Sequence, residues 1–63
     1  MDIIQATKQA KEKSKCMRRA AWDISIKIMP TDICYDIIKK EERRRFWNSK
    51  VDDILAEDWC VVD

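Results

Sequence analysis

No glycine occurs among the 63 residues of this chain. That absence removes the residue that adopts positive φ at least cost, so the turns must be built from Asn, Asp and Pro. It also excludes a P-loop and a Rossmann fingerprint, both of which need glycines for close backbone approach to phosphate.

The shortness of the chain is the next constraint. It predicts a single domain over residues 1–63, and a chain of this size buries only ~60% of its unfolded surface. Such a core rarely leaves more than about 3–5 kcal/mol of net stability without disulfides, a metal or oligomerisation. A metal is not expected: there is no His, and Cys16, Cys34 and Cys60 form no C-x-x-C pair. An odd cysteine count without a signal-peptide pattern predicts three free thiols in a reducing cytoplasm, buried as small hydrophobes. No apolar run approaches the ~18 residues of a membrane span. Oligomerisation is the support that remains.

The formal net charge is +1, which gives no bulk electrostatic case for DNA or RNA. Its distribution is uneven. Residues 1–45 carry 12 Lys/Arg and 7 Asp/Glu, a net of +5, whereas residues 46–63 carry one Lys and 5 Asp/Glu, a net of −4. Two readings stand: opposite ends of neighbouring subunits attract each other, or a basic surface meets phosphate.

Along the chain, residues 2–13 read as a helix. Asp2 is its N-cap, Gln5 completes a capping box, and Ile3, Ala6, Thr7 and Ala10 make one apolar face. Residues 15–19 read as a short strand with Met17 and Arg19 on one face and Cys16 and Arg18 on the other. A turn or bulge follows at 20–23. Residues 24–29 alternate with period two, Ile24, Ile26 and Ile28 against Ser25, Lys27 and Met29, and Pro30-Thr31-Asp32 stops the strand.

Residues 33–46 fit two descriptions. Ile33, Cys34, Ile37 and Ile38 make a helix face, yet the same run is β-prone; the charged run from Lys39 to Arg45 is then a helix end or a loop tip. Near the C-terminus, Asn48 or Ser49 caps a short helix. Asp52 and Asp53 sit in its first turn, where the helix dipole favours acids. Val51, Ile54 and Leu55 form its buried stripe, Asp58 ends it, and Trp59 to Val62 make a closing strand.

No catalytic set is visible. Without His the usual general base is missing. Asp52, Asp53, Glu57 and Asp58 could pair for acid/base work, but acids at a helix start have a plain structural role, and no enzyme is expected. Three tryptophans in so short a chain are more suggestive. A tryptophan stacks on a base for roughly 1–3 kcal/mol, and arginine makes planar, permanently charged phosphate contacts. Trp22, Trp47 and Trp59 with Arg19 make either a nucleotide pocket or a large-residue core, and on residue chemistry alone the core is favoured.

Two motifs bear on that choice. Lys13-Ser14-Lys15-Cys16-Met17-Arg18-Arg19 leading to Trp22 resembles an opening pattern G-K-K-V-x-R-x-x-W. Trp47-x5-Asp53-Ile54-Leu55-Ala56-Glu57-Asp58-Trp59-x-Val61 resembles a closing pattern W-x-P-S-x-x-D-L-L-A-x-D-W-x-V. Both patterns belong to a family of small phage proteins, the second type of Thoeris anti-defence proteins. The matches cover most of residues 1–22 and 47–62, and the middle of the chain matches poorly.

The resemblance implies a non-enzymatic α+β domain: a small antiparallel sheet with an N-terminal helix and a short C-terminal helix, assembled as a homo-oligomer, dimer or tetramer. It implies a strand at about 33–38. It further implies a cyclic nucleotide signal as partner, of the cyclic ADP-ribose type or a cyclic oligonucleotide, held in the host bacterial cytoplasm without cofactor, membrane, DNA or RNA polymer. Bacterial Thoeris or CBASS defence is thereby silenced. Some members are linked instead to blocking CRISPR nucleases, which keeps a protein-binding inhibitor as the alternative. Carried over by position, Trp22 and Trp47 stack on a base, Arg19 reaches phosphate, Asp53 accepts a ribose or adenine hydrogen bond or caps its helix, and Trp59 is mostly core. The chain departs from the pattern where Lys13 stands before the first strand in place of Gly, at Asp23-Ile24 in place of Asn-Gly, and at Ser49-Lys50 in place of Pro-Ser.

Overall fold

The computed structural model describes all 63 residues. The chain forms a small α+β domain of seven elements: α1 (Ile3–Lys13), β1 (Cys16–Arg19), β2 (Ile26–Pro30), β3 (Tyr35–Lys39), β4 (Glu42–Arg44), α2 (Val51–Leu55) and β5 (Trp59–Val62). All five strands join one antiparallel sheet in the order β4-β3-β2-β1-β5. The closing strand β5 therefore pairs with the first strand β1, and the β3–β4 hairpin forms the opposite edge.

α1 follows its sequence closely. Asp2 accepts from the Gln5 amide at 2.8 Å and the Gln5 side chain accepts from the Asp2 amide at 3.3 Å, the reciprocal bonds of a capping box. Ile3, Ala6 and Ala10 are buried, and the two alanines let the helix approach the sheet. Thr7 is half-buried; its hydroxyl bonds the Ile3 carbonyl and the Tyr35 hydroxyl, each at 2.6 Å. The core consists of Ile3, Ala6, Ala10, Met17, Ile28 and Trp59.

Strand register explains that core. Met17 pairs with Ile28 and with Val61, and Ile28 pairs with Ile37. Side chains alternate along a strand, so all four residues share the face that α1 covers. The opposite face carries Cys16, Arg18, Lys27, Met29, Asp36, Ile38, Cys60 and Val62, and no element of the chain lies over it. Of the three free thiols only Cys16 is buried; Cys34 and Cys60 are half-buried.

Several sequence expectations are corrected. The second strand starts at Ile26, and Ile24 is exposed in the turn before it. The strand does end in Pro30-Thr31-Asp32, with Pro30 as its last residue, buried and paired with Tyr35. By register it lies past the end of β1, where the missing N–H has no ladder to break. The ambiguous middle is strand, not helix. The charged run at its end is neither helix nor a bare loop tip: residues 39 and 42 to 44 pair across a two-residue turn, which adds β4.

The glycine-free turns use residues that were not anticipated. Ser14, Lys40 and Phe46 have φ of 54°, 55° and 61°, a region that costs an ordinary residue roughly 1–2 kcal/mol. Ser14 ends α1, and its amide and that of Lys15 bond back to the carbonyls of Lys11 and Ala10. The position that would suit glycine is thus Ser14 rather than Lys13, which is also where G-K-K-V-x-R-x-x-W falls when counted back from Trp22. At Asp23-Ile24 a side chain replaces the glycine: the Asp23 carboxylate accepts from the Ser25 amide at 2.9 Å, an Asx turn.

The largest correction concerns α2. Its N-cap is Lys50, not Asn48 or Ser49, and a lysine side chain cannot accept a backbone bond. Asp53 instead reaches back to the Lys50 amide at 3.4 Å. Asp53 is also the one buried residue of the helix, while Val51, Ile54 and Leu55 are 72%, 45% and 74% exposed. The expected buried stripe faces outward, and the helix ends at Leu55, three residues before Asp58.

Candidate functional site

Past the end of α1 the same sheet face is open. A groove of about 1050 Å³ there is lined by Arg19, Ile26, Ile37, Lys39, Glu42 and Arg44 from the sheet and by Ala21, Trp22, the segment Arg45–Asn48, Lys50, Asp52 and Asp53 around it. A second hollow, about 830 Å³, lies at the tip of the β3–β4 hairpin. It is lined by charged and polar residues and one apolar side chain, Ile26, and offers no aromatic surface. No three Cys, Asp or Glu side chains converge in a metal-binding arrangement anywhere.

The three tryptophans meet at the inner end of the groove. Trp22 and Trp47 have ring centroids 5.8 Å apart, Trp22 and Trp59 5.1 Å, and Trp47 and Trp59 6.0 Å; Tyr35 adds a fourth ring 5.7 Å from Trp47. All four contacts are edge-to-face, the geometry that aligns ring edge with ring face. Trp59 is fully buried among them, as its core assignment required. Trp22 and Trp47 are half-buried. Each packs against the core and also lines the groove.

Arg19 stands at the end of β1, in register with Trp59. Its Nη1 donates to Asp53 Oδ1 at 2.8 Å and its Nε donates to Asp58 Oδ1 at 2.9 Å. Asp58 Oδ2 in turn accepts from the Ala21 amide at 3.2 Å, and the Trp59 indole N–H donates to the Asp53 carbonyl at 2.9 Å. One arginine thus ties β1, α2 and the approach to β5 together. The guanidinium bond from Arg19 holds the Asp58 carboxyl below the usual carboxylate range, partly opposed by desolvation. Bonds from Asp53 and then Asp58 push Arg19 upward in turn. The motif residues Arg19, Asp53, Asp58 and Trp59 are therefore partners of one another. This knot also explains why α2 presents its apolar residues outward: the buried side of the helix is set by an ion pair, not by its hydrophobic pattern.

Of the four residues singled out in the sequence, Arg19, Trp22, Trp47 and Asp53 all line the one groove. Arg19 and Asp53 do so as an ion pair. The charges left unpaired are others. The ion pairs of the chain involve Lys11, Lys15, Arg19 and Arg43, so Lys39, Arg44, Arg45 and Lys50 reach the groove with no carboxylate partner. The sequence reading made residues 39 to 45 a loop tip or a helix end and gave neither them nor Lys50 a part in the site. The available signal was the strand alternative for 33–38, because a hairpin there directs every second residue of its return strand onto the core face. Phe46 was also missed. It lines the groove, is 66% exposed, and has the Arg45 guanidinium 5.5 Å from its ring centroid.

A Thoeris anti-defense 2-like domain model matches residues 1–62. The chain belongs to the Thoeris anti-defense 2-like family. The match runs through the poorly matching middle as well as both motifs, so the family assignment and the five-stranded sheet cover the same residues. No curated protein and no solved structure matches the chain.

Proposed function

We propose that this family member is an anti-defence sponge. It binds a cyclic nucleotide immune signal, of the cyclic ADP-ribose type such as glycocyclic ADP-ribose or a cyclic oligonucleotide, and sequesters it without degrading it. The observation that carries this reading is one groove in which two half-buried tryptophans stand beside four unpaired cations. The indole faces suit a base, and Lys39, Arg44, Arg45 and Lys50 suit phosphates. Binding without turnover is the natural outcome here. There is no His, and the Asp53 and Asp58 carboxylates are both engaged by Arg19, so neither is a free acid/base group facing the groove.

Assembly as a dimer or tetramer in the host bacterial cytoplasm is part of the proposal. A core of six buried residues is small, and the sheet face bearing Met29, Ile38, Cys60 and Val62 has no covering layer within the chain. A second copy laid on it would bury those side chains in a two-fold arrangement.

The test uses cyclic ADP-ribose, its glycocyclic isomer and cyclic purine dinucleotides. Each is incubated with the protein, unbound probe is removed, and the protein is then heated. Release of intact probe is expected for one of the three classes at a Kd of about micromolar or below, ~8 kcal/mol. A cleaved product would mean an enzyme, and no retention of any probe would end the sponge reading.

One observation favours a second reading, a protein-binding inhibitor of a host defence nuclease. The outward Val51, Ile54 and Leu55 of α2 make an exposed apolar face of the kind that docks partners. A nuclease captured from host lysate, with no rise in melting temperature on adding the probes, would select it.

A further inference from the structure

We propose that Phe46 and Arg45 form a clamp at the rim of the groove, in which the Phe46 ring stacks on a base of the cyclic nucleotide and the Arg45 guanidinium meets the adjoining phosphate. This rests on the nucleotide-binding reading above and adds to it a second stacking position besides the tryptophans.

After β4 the chain must reverse so that the Trp47 amide can bond the Tyr35 carbonyl at 2.7 Å and the Trp47 ring can pack on Tyr35 and Trp59. Phe46 makes that reversal at φ 61°. The reversal needs positive φ; it does not need phenylalanine. Glycine or asparagine would adopt it with less steric cost, and a bulky residue there is a genuine outlier.

Apart from the exposed contact with Arg45, no packing in the fold recovers the cost. The Phe46 ring joins no aromatic pair, stands outside the core, and is 66% exposed. Its position on the groove wall gives it a purpose that packing does not. Strain kept at a functional position is the known pattern. Arg45 sits 5.5 Å over the ring with no carboxylate partner, so its charge is already held beside the stacking surface. A cation over an aromatic face is attracted to it, and a planar guanidinium can bond a phosphate in bidentate fashion from there.

Phe46→Gly separates structure from binding, because it relieves the backbone while removing the ring. Wild type, Phe46→Gly and Phe46→Tyr are titrated with whichever of these probes binds wild type most tightly. Melting temperature and native mass are recorded for each. The expected result is a roughly five- to hundredfold loss of affinity for Phe46→Gly, retention by Phe46→Tyr, and a melting temperature for Phe46→Gly no lower than wild type. Unchanged affinity in Phe46→Gly overturns the clamp and leaves the sponge reading standing. A lower melting temperature or an altered native mass also overturns it, since the ring would then serve packing or another copy. Absence of binding by wild type overturns both.

Discussion

Arg19 and the Arg44–Arg45 pair line the same groove, yet they are opposite kinds of arginine. Arg19 is held on two carboxylates, 2.8 and 2.9 Å away, and its side chain is 21% exposed. Arg44 and Arg45 are exposed and unpaired. A guanidinium already saturated by acids contributes to the fold, because its charge is compensated before any ligand arrives. An exposed one that makes no ion pair contributes a positive field to the groove, screened by salt and, for Arg45, partly by Asp36. The groove thus has a rigid inner end, where β1, α2 and β5 are tied, and a basic outer rim on the β3–β4 hairpin.

The largest effect expected from breaking this contrast is at the inner end. Asp53→Ala removes one acceptor from Arg19 and the bond to the Lys50 amide, leaving a partly buried guanidinium short of a partner. Stability should fall by about 2–3 kcal/mol in urea denaturation, and nucleotide affinity should fall only as far as the fold loosens. At the rim the order reverses. Arg44→Ala with Arg45→Ala should leave the urea midpoint close to wild type, since surface changes away from packed features stay within about 0.5 kcal/mol. Probe affinity measured by calorimetry should drop roughly tenfold or more, by the loss of charge-assisted bonds, and the remaining affinity should depend less on salt.

Acid titration probes the same contrast more gently. Asp58 is lowered chiefly by Arg19 and Asp36 chiefly by Arg43. A carboxylate whose folded pKa is depressed stabilises the fold fully above its unfolded value, near 3.9, and that stability is lost as pH falls through the folded value. Melting temperature should therefore be flat near neutrality and decline below about pH 4. Asp58→Asn should melt lower at pH 7 and show a shallower acid decline. A decline that begins near pH 6 would contradict the assignment. The smallest effect is expected at Lys40, at φ 55° in the turn of the basic hairpin but outside the groove. Lys40→Gly should raise stability by up to about 1 kcal/mol and leave probe affinity unchanged, which separates groove charges from merely nearby ones.

How much of this was legible in the sequence varies element by element. α1 was readable because its cap, its alanine face and its boundaries all act locally and agree. Period-two alternation put Met17 and Ile28 each on one strand face without saying which face is buried, and the placing of Trp59 in the core came with the resemblance. α2 was misread because a five-residue helix has too little periodicity to outweigh one ion pair. The partner that turns Asp53 inward, Arg19, lies 34 residues away. β4 was missed because glutamate and arginine carry little strand signal, and its pairing is supplied by β3. Trp22, Trp47, Arg19 and Asp53, which line one groove, were singled out together through the resemblance of their motifs. Arg44, Arg45 and Phe46 were not, because helix and strand stayed open over 33–46 and only the strand alternative, followed through to a hairpin, turns part of the charged run towards the groove.

The central claim is that the groove takes up a cyclic nucleotide and returns it unchanged. Purified protein should retain one of the cyclic ADP-ribose or cyclic purine dinucleotide probes through desalting, rise in melting temperature in its presence, and release the intact molecule on heating. Mass analysis of the released material decides the matter. Intact probe in stoichiometric amount is the predicted result, and either a cleaved product or protein that carries no probe would contradict it.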